Sequence, residues 1–145
     1  MSNKRKYDMD DYHPEDDYGP IIKIINSNPK KSPLEVFIEL VVRIRTRRFR
    51  RDPIQFKIFY DDKVQTIEFT SPKAIAMALI VFRVYKLLQR NDKLSLKSLH
   101  DEYADVWGES TEICYSTVQI FLDVFDWKHN DLNIIVDDKV ARFEN

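Results

Sequence analysis

Apolar residues recur at helical spacing in two stretches that begin in the same way. In Ser32-Pro33-Leu34-Glu35, a capping serine, a first-turn proline and a glutamate three residues after the serine form a capping-box pattern. Apolar side chains at positions 34, 37, 38, 41 and 44 follow on one face, which predicts a helix that ends before Pro53. A second Ser-Pro pair, Ser71-Pro72, predicts a helix to about Arg90. Residues 74–82 of this helix are apolar nearly all round, which indicates a central position in the structure.

Shorter apolar runs predict strands and further helices. Two β-rich runs, Ile54–Tyr60 and Val64–Phe69, flank Asp61-Asp62-Lys63 and predict a hairpin between the two helices. Downstream, Ser95 can cap a helix that runs through Trp107 and ends at Gly108. The remaining pattern predicts one more helix and a closing hairpin. The helix runs from Ser110 or Thr111 to about Lys128, and the hairpin strands are Leu132–Val136 and Lys139–Phe143.

The first 31 residues lack apolar periodicity and carry dense charge, including six acidic side chains between residues 8 and 17. This composition predicts a mobile tail over 1–31, within which Ile21–Ile25 is an apolar run able to dock as an extended segment. The predicted fold class is therefore α+β. It consists of a mobile N-terminal tail, a helix, a β-hairpin, and a winged-helix-like helical unit closed by a C-terminal β-hairpin. Residues 32–145 form one domain, divided into a helix–hairpin part (32–70) and a winged-helix-like part (71–145).

The order of elements after residue 74 is that of a winged helix-turn-helix, in which the third helix reads the DNA major groove. Here that helix carries Glu112, Asp123 and Asp126, whose carboxylates would face phosphates of the same charge, so base reading is disfavoured. The helix also has more apolar residues than one buried face requires, which predicts contact with the N-terminal helix–hairpin or with another chain. The candidate partner interface consists of Tyr115, Phe121, Phe125 and Trp127.

Six arginines within nine residues form the densest positive charge in the chain: Arg43, Arg45, Arg47, Arg48, Arg50 and Arg51. Three interpretations are open. The cluster is a solvated helix end that complements the helix dipole, a contact to nucleic-acid backbone, or a docking site for an acidic partner or for the acidic residues 8–17.

Composition narrows the class of protein. The chain has 145 residues and a formal net charge of -1, which excludes a uniformly basic nucleic-acid coat. A single Cys excludes an internal disulfide framework, and 2 Gly argue against glycine-rich phosphate loops. The longest apolar run, 74–82, is about half of a membrane span. We therefore expect a soluble cytoplasmic protein that does not contact a membrane.

The sequence offers little for catalysis, and we expect neither an enzyme nor a bound metal or cofactor. His100 is followed by two acidic residues that point in other directions on a helix, and Cys114 lies on an apolar helix where a thiol acts as a small hydrophobe. Acidic pairs at the two hairpin tips, Asp61-Asp62 and Asp137-Asp138, would bind a divalent ion only if the tips met in space. That arrangement would indicate a small metal-dependent nuclease.

The second half resembles a known family of small proteins. Leu87-Leu88, Leu96-Lys97-Ser98-Leu99, Phe121-Leu122-Asp123 and the terminal hairpin are similar to accessory middle subunits of ABC-three-component and Lamassu-type bacterial defence systems. The resemblance covers residues 72–145, and it departs from the family after the last helix, where Asp126-Trp127-Lys128-His129 stands. It implies a non-enzymatic subunit beside an ATPase that resembles structural-maintenance-of-chromosomes proteins.

We therefore expect an adaptor that binds a larger partner protein through an apolar helical face, with non-specific DNA contact at the arginine cluster as an additional role. A stand-alone winged-helix DNA-binding regulator or viral-type effector is the alternative.

Overall fold

A three-stranded sheet forms the N-terminal part of the fold in the computed structural model, which describes residues 21–26, 29–50, 54–60, 62–67 and 71–136. Strand β1 (Ile21–Ile24) pairs in parallel with β2 (Gln55–Phe59), and β2 pairs antiparallel with β3 (Val64–Ile67). The predicted hairpin is confirmed as β2 and β3. The folded part begins no later than Ile21, so the tail boundary at residue 31 was wrong, although the docked extended segment was expected.

The sheet has one apolar face and one mixed face, as the alternation of strand side chains requires. Ile22, Ile24, Phe56 and Ile58 alternate along β1 and β2 and are buried. On the other face Lys23 is also buried, with its Nζ 6.0 Å from the centre of the Phe59 ring.

Helix α1 (Pro33–Arg50) connects β1 to β2 and begins with the predicted capping box. The backbone N–H of Ser32 donates to the Glu35 carboxylate at 2.8 Å, and the Glu35 N–H donates to the Ser32 hydroxyl at 3.3 Å. Phe37, Leu40 and Ile44 are buried and attach the helix to the core.

Helix α2 (Pro72–Arg90) is the central helix, as its apolar first half predicts. The Ala74 N–H donates to the Ser71 hydroxyl at 3.2 Å, and Asn91 ends the helix in the left-handed region at φ 54°. It packs against both α1 and α5 (Glu112–Phe125), so it joins the two halves of the chain.

The segment between α2 and α5 departs from the sequence prediction in one respect. The helix expected from residue 95 to Trp107 is divided into α3 (Leu96–Glu102) and α4 (Ala104–Trp107), with a break at Tyr103. The two predicted boundaries are confirmed, since the Ser95 hydroxyl accepts from the Ser98 N–H at 3.0 Å and Gly108 follows α4 with φ 89°.

Helix α5 ends at Phe125, three residues earlier than predicted, because Asp126 adopts the left-handed region at φ 58°. A 3₁₀ helix (His129–Leu132) leads to the short strand β5 (Ile134–Ile135), which pairs in parallel with β4 (Leu94–Ser95). Leu132 was assigned to a strand and lies in the 3₁₀ helix instead. The second strand of the predicted closing hairpin, 139–143, lies outside the described residues.

Buried side chains from both halves form one hydrophobic core that includes Ile22 at one end of the described chain and Ile134 at the other. The architecture is a mixed α+β fold, which confirms the predicted class.

Candidate functional site

Two of the four residues predicted to contact a partner belong to this chain's own core, and the other two lie at its border. Phe121 is 0% exposed and Phe125 is buried. The Phe121 ring lies 4.9 Å from the ring of Phe37, and the Phe125 ring stacks 4.4 Å from that of Trp127. Assigning Phe121 and Phe125 to a partner interface was therefore wrong. The first alternative, contact between α5 and the N-terminal helix, explains the surplus of apolar residues.

Tyr115 and Trp127 are half-buried at the border of the same core. Tyr115 meets the buried imidazole of His100 edge-on at 6.4 Å, and Trp127 also stacks on Phe37 at 6.2 Å. Both rings therefore close the ends of α5 and present limited surface to a partner.

The exposed side of α5 is polar and acidic. Glu112, Ser116, Gln119 and Asp123 are exposed, and the Gln119 side-chain amide donates to the Asp123 carboxylate at 2.9 Å. This surface has the charge that phosphate backbones repel.

The arginine cluster does not act as a unit. Arg47 is 2% exposed and donates long hydrogen bonds, both of 3.4 Å, to the backbone carbonyls of Arg43 and Ile21. It thereby ties α1 to the start of β1. Placing Arg47 on a nucleic-acid interface was wrong, because a guanidinium held in this way cannot reach a phosphate.

The other arginines differ in accessibility. Arg43 is half-buried, whereas Arg45 and Arg48 are exposed. The guanidinium carbon of Arg45 lies 5.6 Å from the centre of the Phe82 ring of α2, within cation–π range. The side chain of Arg50 and the whole of Arg51 lie outside the described residues.

Large aliphatic side chains are exposed on the outer side of α1 and α2. Ile38 is 42% exposed and Val42 is 56% exposed on α1, and Ile75 is 45% exposed on α2. Ile38, Val42 and Arg45 share one side of α1 because they are separated by four and three residues. The guanidinium of Arg45 contacts the Phe82 ring of α2. Phe82 lies seven residues after Ile75, so the two residues share one side of α2.

We use the name outer α1–α2 face for the solvent-facing sides of these two helices, which meet where Arg45 lies over the Phe82 ring; the residues named on them are Ile38, Val42, Arg45, Ile75 and Phe82. Three further exposed aliphatics, Val64, Val106 and Ile135, lie one each on β3, α4 and β5. Isolated exposed aliphatics are ordinary on protein surfaces, whereas Ile38 and Val42 lie one helical turn apart and close to the Arg45–Phe82 contact, which favours an interaction site.

Ile38 was predicted on the buried face of α1, and Val42 was not among the predicted interface residues. A signal was present, because Ile38 and Val42 form a second apolar row beside the row of Phe37, Leu40 and Ile44. One helix face of ordinary width does not bury both rows.

His100 has a structural role. Its Nε2 lies 3.0 Å from the carbonyl oxygen of Gly108 and 3.1 Å from that of Ser110, so the hydrogen on Nε2 is shared between two acceptors. The Trp107 indole N–H donates to the His100 carbonyl at 2.9 Å. The residue therefore holds the α4–α5 connection against α3.

The remaining candidates for chemistry are unfavourable. Burial raises the pKa of the Cys114 thiol to about 12, which keeps it protonated and unreactive at neutral pH. In the described part of the chain, no cluster of three or more His, Cys, Asp or Glu side chains could hold a metal ion. Of the acidic hairpin tips, Asp62 is described and exposed, while Asp61, Asp137 and Asp138 lie outside the described residues.

None of the described helices combines the length and the apolar character needed to cross a membrane.

Comparison with known proteins gave no match to a protein-family model, to a curated protein or to a solved structure.

Proposed function

We propose that this protein is a non-enzymatic adaptor that binds a larger partner protein through the outer α1–α2 face. The observation that carries the proposal is the exposure of Ile38, Val42 and Ile75 on two contacting helices. The surface differs from the one expected from sequence, because the aromatic residues of α5 are used inside the chain.

Energetics favour this use of the face. Removing apolar surface from water yields about 25 cal/mol per Å², so covering one half-exposed aliphatic side chain contributes on the order of 1 kcal/mol. Ile38 and Val42 share one side of α1 with Arg45, whose guanidinium is in cation–π range of Phe82, and Arg and aromatic residues are enriched at protein interfaces.

Of the predicted arginine cluster, Arg45 and Arg48 are the exposed members among the described side chains, so a supplementary contact to nucleic-acid backbone would use these two. Two cations neutralise about two phosphates, which gives a salt dependence of roughly -1.8 in log–log slope for duplex DNA. Such a contact is too weak to define the function. The stand-alone DNA-binding regulator is less well supported, because α5 presents Glu112 and Asp123 where a reading helix would need donors.

The identity of the partner rests on the family resemblance alone, which proposes an ATPase that resembles structural-maintenance-of-chromosomes proteins. It is the first partner class to examine, in a defence complex of the cytoplasm.

The proposal is tested by purifying the tagged full chain from cells that contain its natural partners, with nuclease treatment throughout. We compare the wild type with Val42→Glu and with Gln119→Glu, a matched addition of charge on the exposed side of α5. The proposal expects one protein in near-stoichiometric amount with the wild type and with Gln119→Glu, and its loss with Val42→Glu. Equal recovery from all three proteins, or recovery of nucleic acid without a protein, would contradict it.

A further inference from the structure

We infer that the outer α1–α2 face binds an acidic amphipathic helix, whose apolar stripe covers Ile38, Val42 and Ile75 and whose carboxylates meet the cations at the border. This inference rests on the proposed function and specifies the chemistry of the partner. It follows from the charges around the face, from the shape of a two-helix surface, and from the exclusion of other occupants.

The charge around the face is positive on the side of α2. From Pro72 to Arg90 the helix has four cationic residues and no carboxylate. Arg83 is engaged with Glu102 at 2.8 Å and 3.0 Å, while Lys86 and Arg90 are exposed. Lys86 follows Phe82 by four residues and therefore extends the same side of the helix.

Both carboxylates of α1 already accept hydrogen bonds from groups of this chain. Glu39 accepts from the Lys31 ammonium at 2.6 Å, and Glu35 accepts from the Ser32 backbone N–H in the capping box. In contrast, the guanidinium of Arg45 lies within cation–π range of Phe82, and no described carboxylate pairs with Arg45 or Arg48. The aliphatic centre is therefore bordered by cations that an acidic partner would pair.

The shape suits a helix. Two packed helices leave a shallow surface between their outer sides, and a third helix covers it with anchors at positions i, i+3, i+4 and i+7. Ile38 and Val42 lie one turn apart on α1, and Ile75 and Phe82 lie two turns apart on α2, so each helix presents a short row along its axis. Carboxylates beside the apolar stripe of the incoming helix would reach Arg45 and Lys86.

Other occupants fit less well. Nucleic acid would leave Ile38, Val42 and Ile75 against phosphates, with no gain from burying them. A second copy that used the same face about a two-fold axis would bring Arg45 and Lys86 against like charges. A membrane surface needs a broad apolar face, whereas the broad apolar faces of α1 and α2 are turned into the core.

The test measures binding of three labelled peptides, each about 18 residues long, to the full chain by fluorescence anisotropy. The first has a leucine stripe flanked by glutamates, the second has lysines in place of the glutamates, and the third has the composition of the first with its stripe scrambled. The inference expects binding of the first peptide only. It also expects the affinity to fall at least about tenfold in Arg45→Glu/Lys86→Glu and about tenfold in Val42→Asp. The control Lys128→Glu, an exposed cation beyond α5, should leave the affinity unchanged.

Several results would overturn the inference. Equal binding of the lysine peptide would show that the face does not recognise acidic charge. Equal binding of the scrambled peptide would show that it does not recognise an apolar stripe. Comparable or tighter binding of duplex DNA, or of vesicles rich in phosphatidylglycerol, would assign the face to another class of ligand. A large gain in peptide affinity after the six acidic residues between positions 8 and 17 are changed to amides would identify that segment of the chain as the occupant.

Failure of this inference can be separated from failure of the proposed function. If Val42→Glu abolishes partner recovery but the acidic peptide does not bind, the adaptor proposal stands and the acidic-helix chemistry is wrong. If the peptide does not bind and Val42→Glu leaves recovery unchanged, both proposals are wrong. Circular dichroism and the urea midpoint confirm that each variant is folded, and Val42→Lys provides a second variant at the centre of the face.

Discussion

Helix α5 and the outer α1–α2 face differ in where their apolar side chains are used. Phe121 of α5 packs on Phe37 of α1, and Phe125 stacks on Trp127 just after the helix, inside the chain. The aliphatic residues Ile38, Val42 and Ile75 face solvent on helices whose opposite sides are buried. An apolar surplus in a sequence therefore has two explanations, a larger core or a binding surface, and both occur in this protein.

Truncating one residue in each region tests this difference in burial. Phe121→Ala should lower the free energy of unfolding by about 3–5 kcal/mol, since it removes a ring from the centre of the core and leaves a cavity. Val42→Ala should change it by no more than about 0.5 kcal/mol, because the side chain is exposed. Urea unfolding followed by circular dichroism measures both. Similar losses would mean that the two regions do not differ in burial as described.

The same contrast applies to two neighbouring arginines of the predicted cluster. Arg47→Met should cost about 1–3 kcal/mol, because the backbone carbonyls of Ile21 and Arg43 lose a buried donor. Arg48→Met should be within about 0.5 kcal/mol of the wild type, since Arg48 is exposed. Chemical denaturation of the two variants checks this, and an equal effect would contradict the structural role of Arg47.

A smaller effect is expected at the start of α2, which supports the outer face without belonging to it. Ser71→Ala should cost about 1 kcal/mol by removing the hydroxyl that accepts from the Ala74 N–H. Ser71→Asn should restore stability, because asparagine caps equally well. The thermal midpoints of the three proteins test the assignment, and a loss with asparagine as large as that with alanine would show that the cap is not the cause.

The smallest effect is a pH dependence at the start of α1. Hydrogen bonds from the Ser32 backbone N–H and hydroxyl, together with the nearby Lys31 charge, lower the pKa of Glu35 below its ordinary value. A lowered pKa in the folded state means that the stabilisation is present at neutral pH and is lost as the pH falls through the acid range. The wild type should therefore lose more stability than Glu35→Gln between about pH 6 and pH 3. Urea midpoints across this range measure the difference, and parallel profiles would contradict it.

Local signals in the sequence predicted much of the fold. The caps at Ser32, Ser71 and Ser95 and the helix ends near Arg90 and at Gly108 lie where predicted, because each depends on interactions within a few residues. Strand β1 was not separated from the tail, since a four-residue strand is stabilised by pairing with β2 about thirty residues later.

The candidate site was harder to predict for a related reason. Whether Phe121 or Ile38 is exposed depends on which helix packs against which, and helical periodicity does not specify that partner. Arg47 is an example, because its buried guanidinium donates to the backbone carbonyl of Ile21, a residue of β1 rather than of its own helix.

Site-specific photo-crosslinking identifies which surface of the protein binds the partner. The photoreactive amino acid benzoylphenylalanine is placed at position 42 on the outer α1–α2 face or at position 116 on the exposed side of α5, in cells that contain the natural partners. We predict one discrete protein adduct from position 42 and none from position 116. An adduct from position 116 with none from position 42 would contradict this prediction and would assign partner binding to α5.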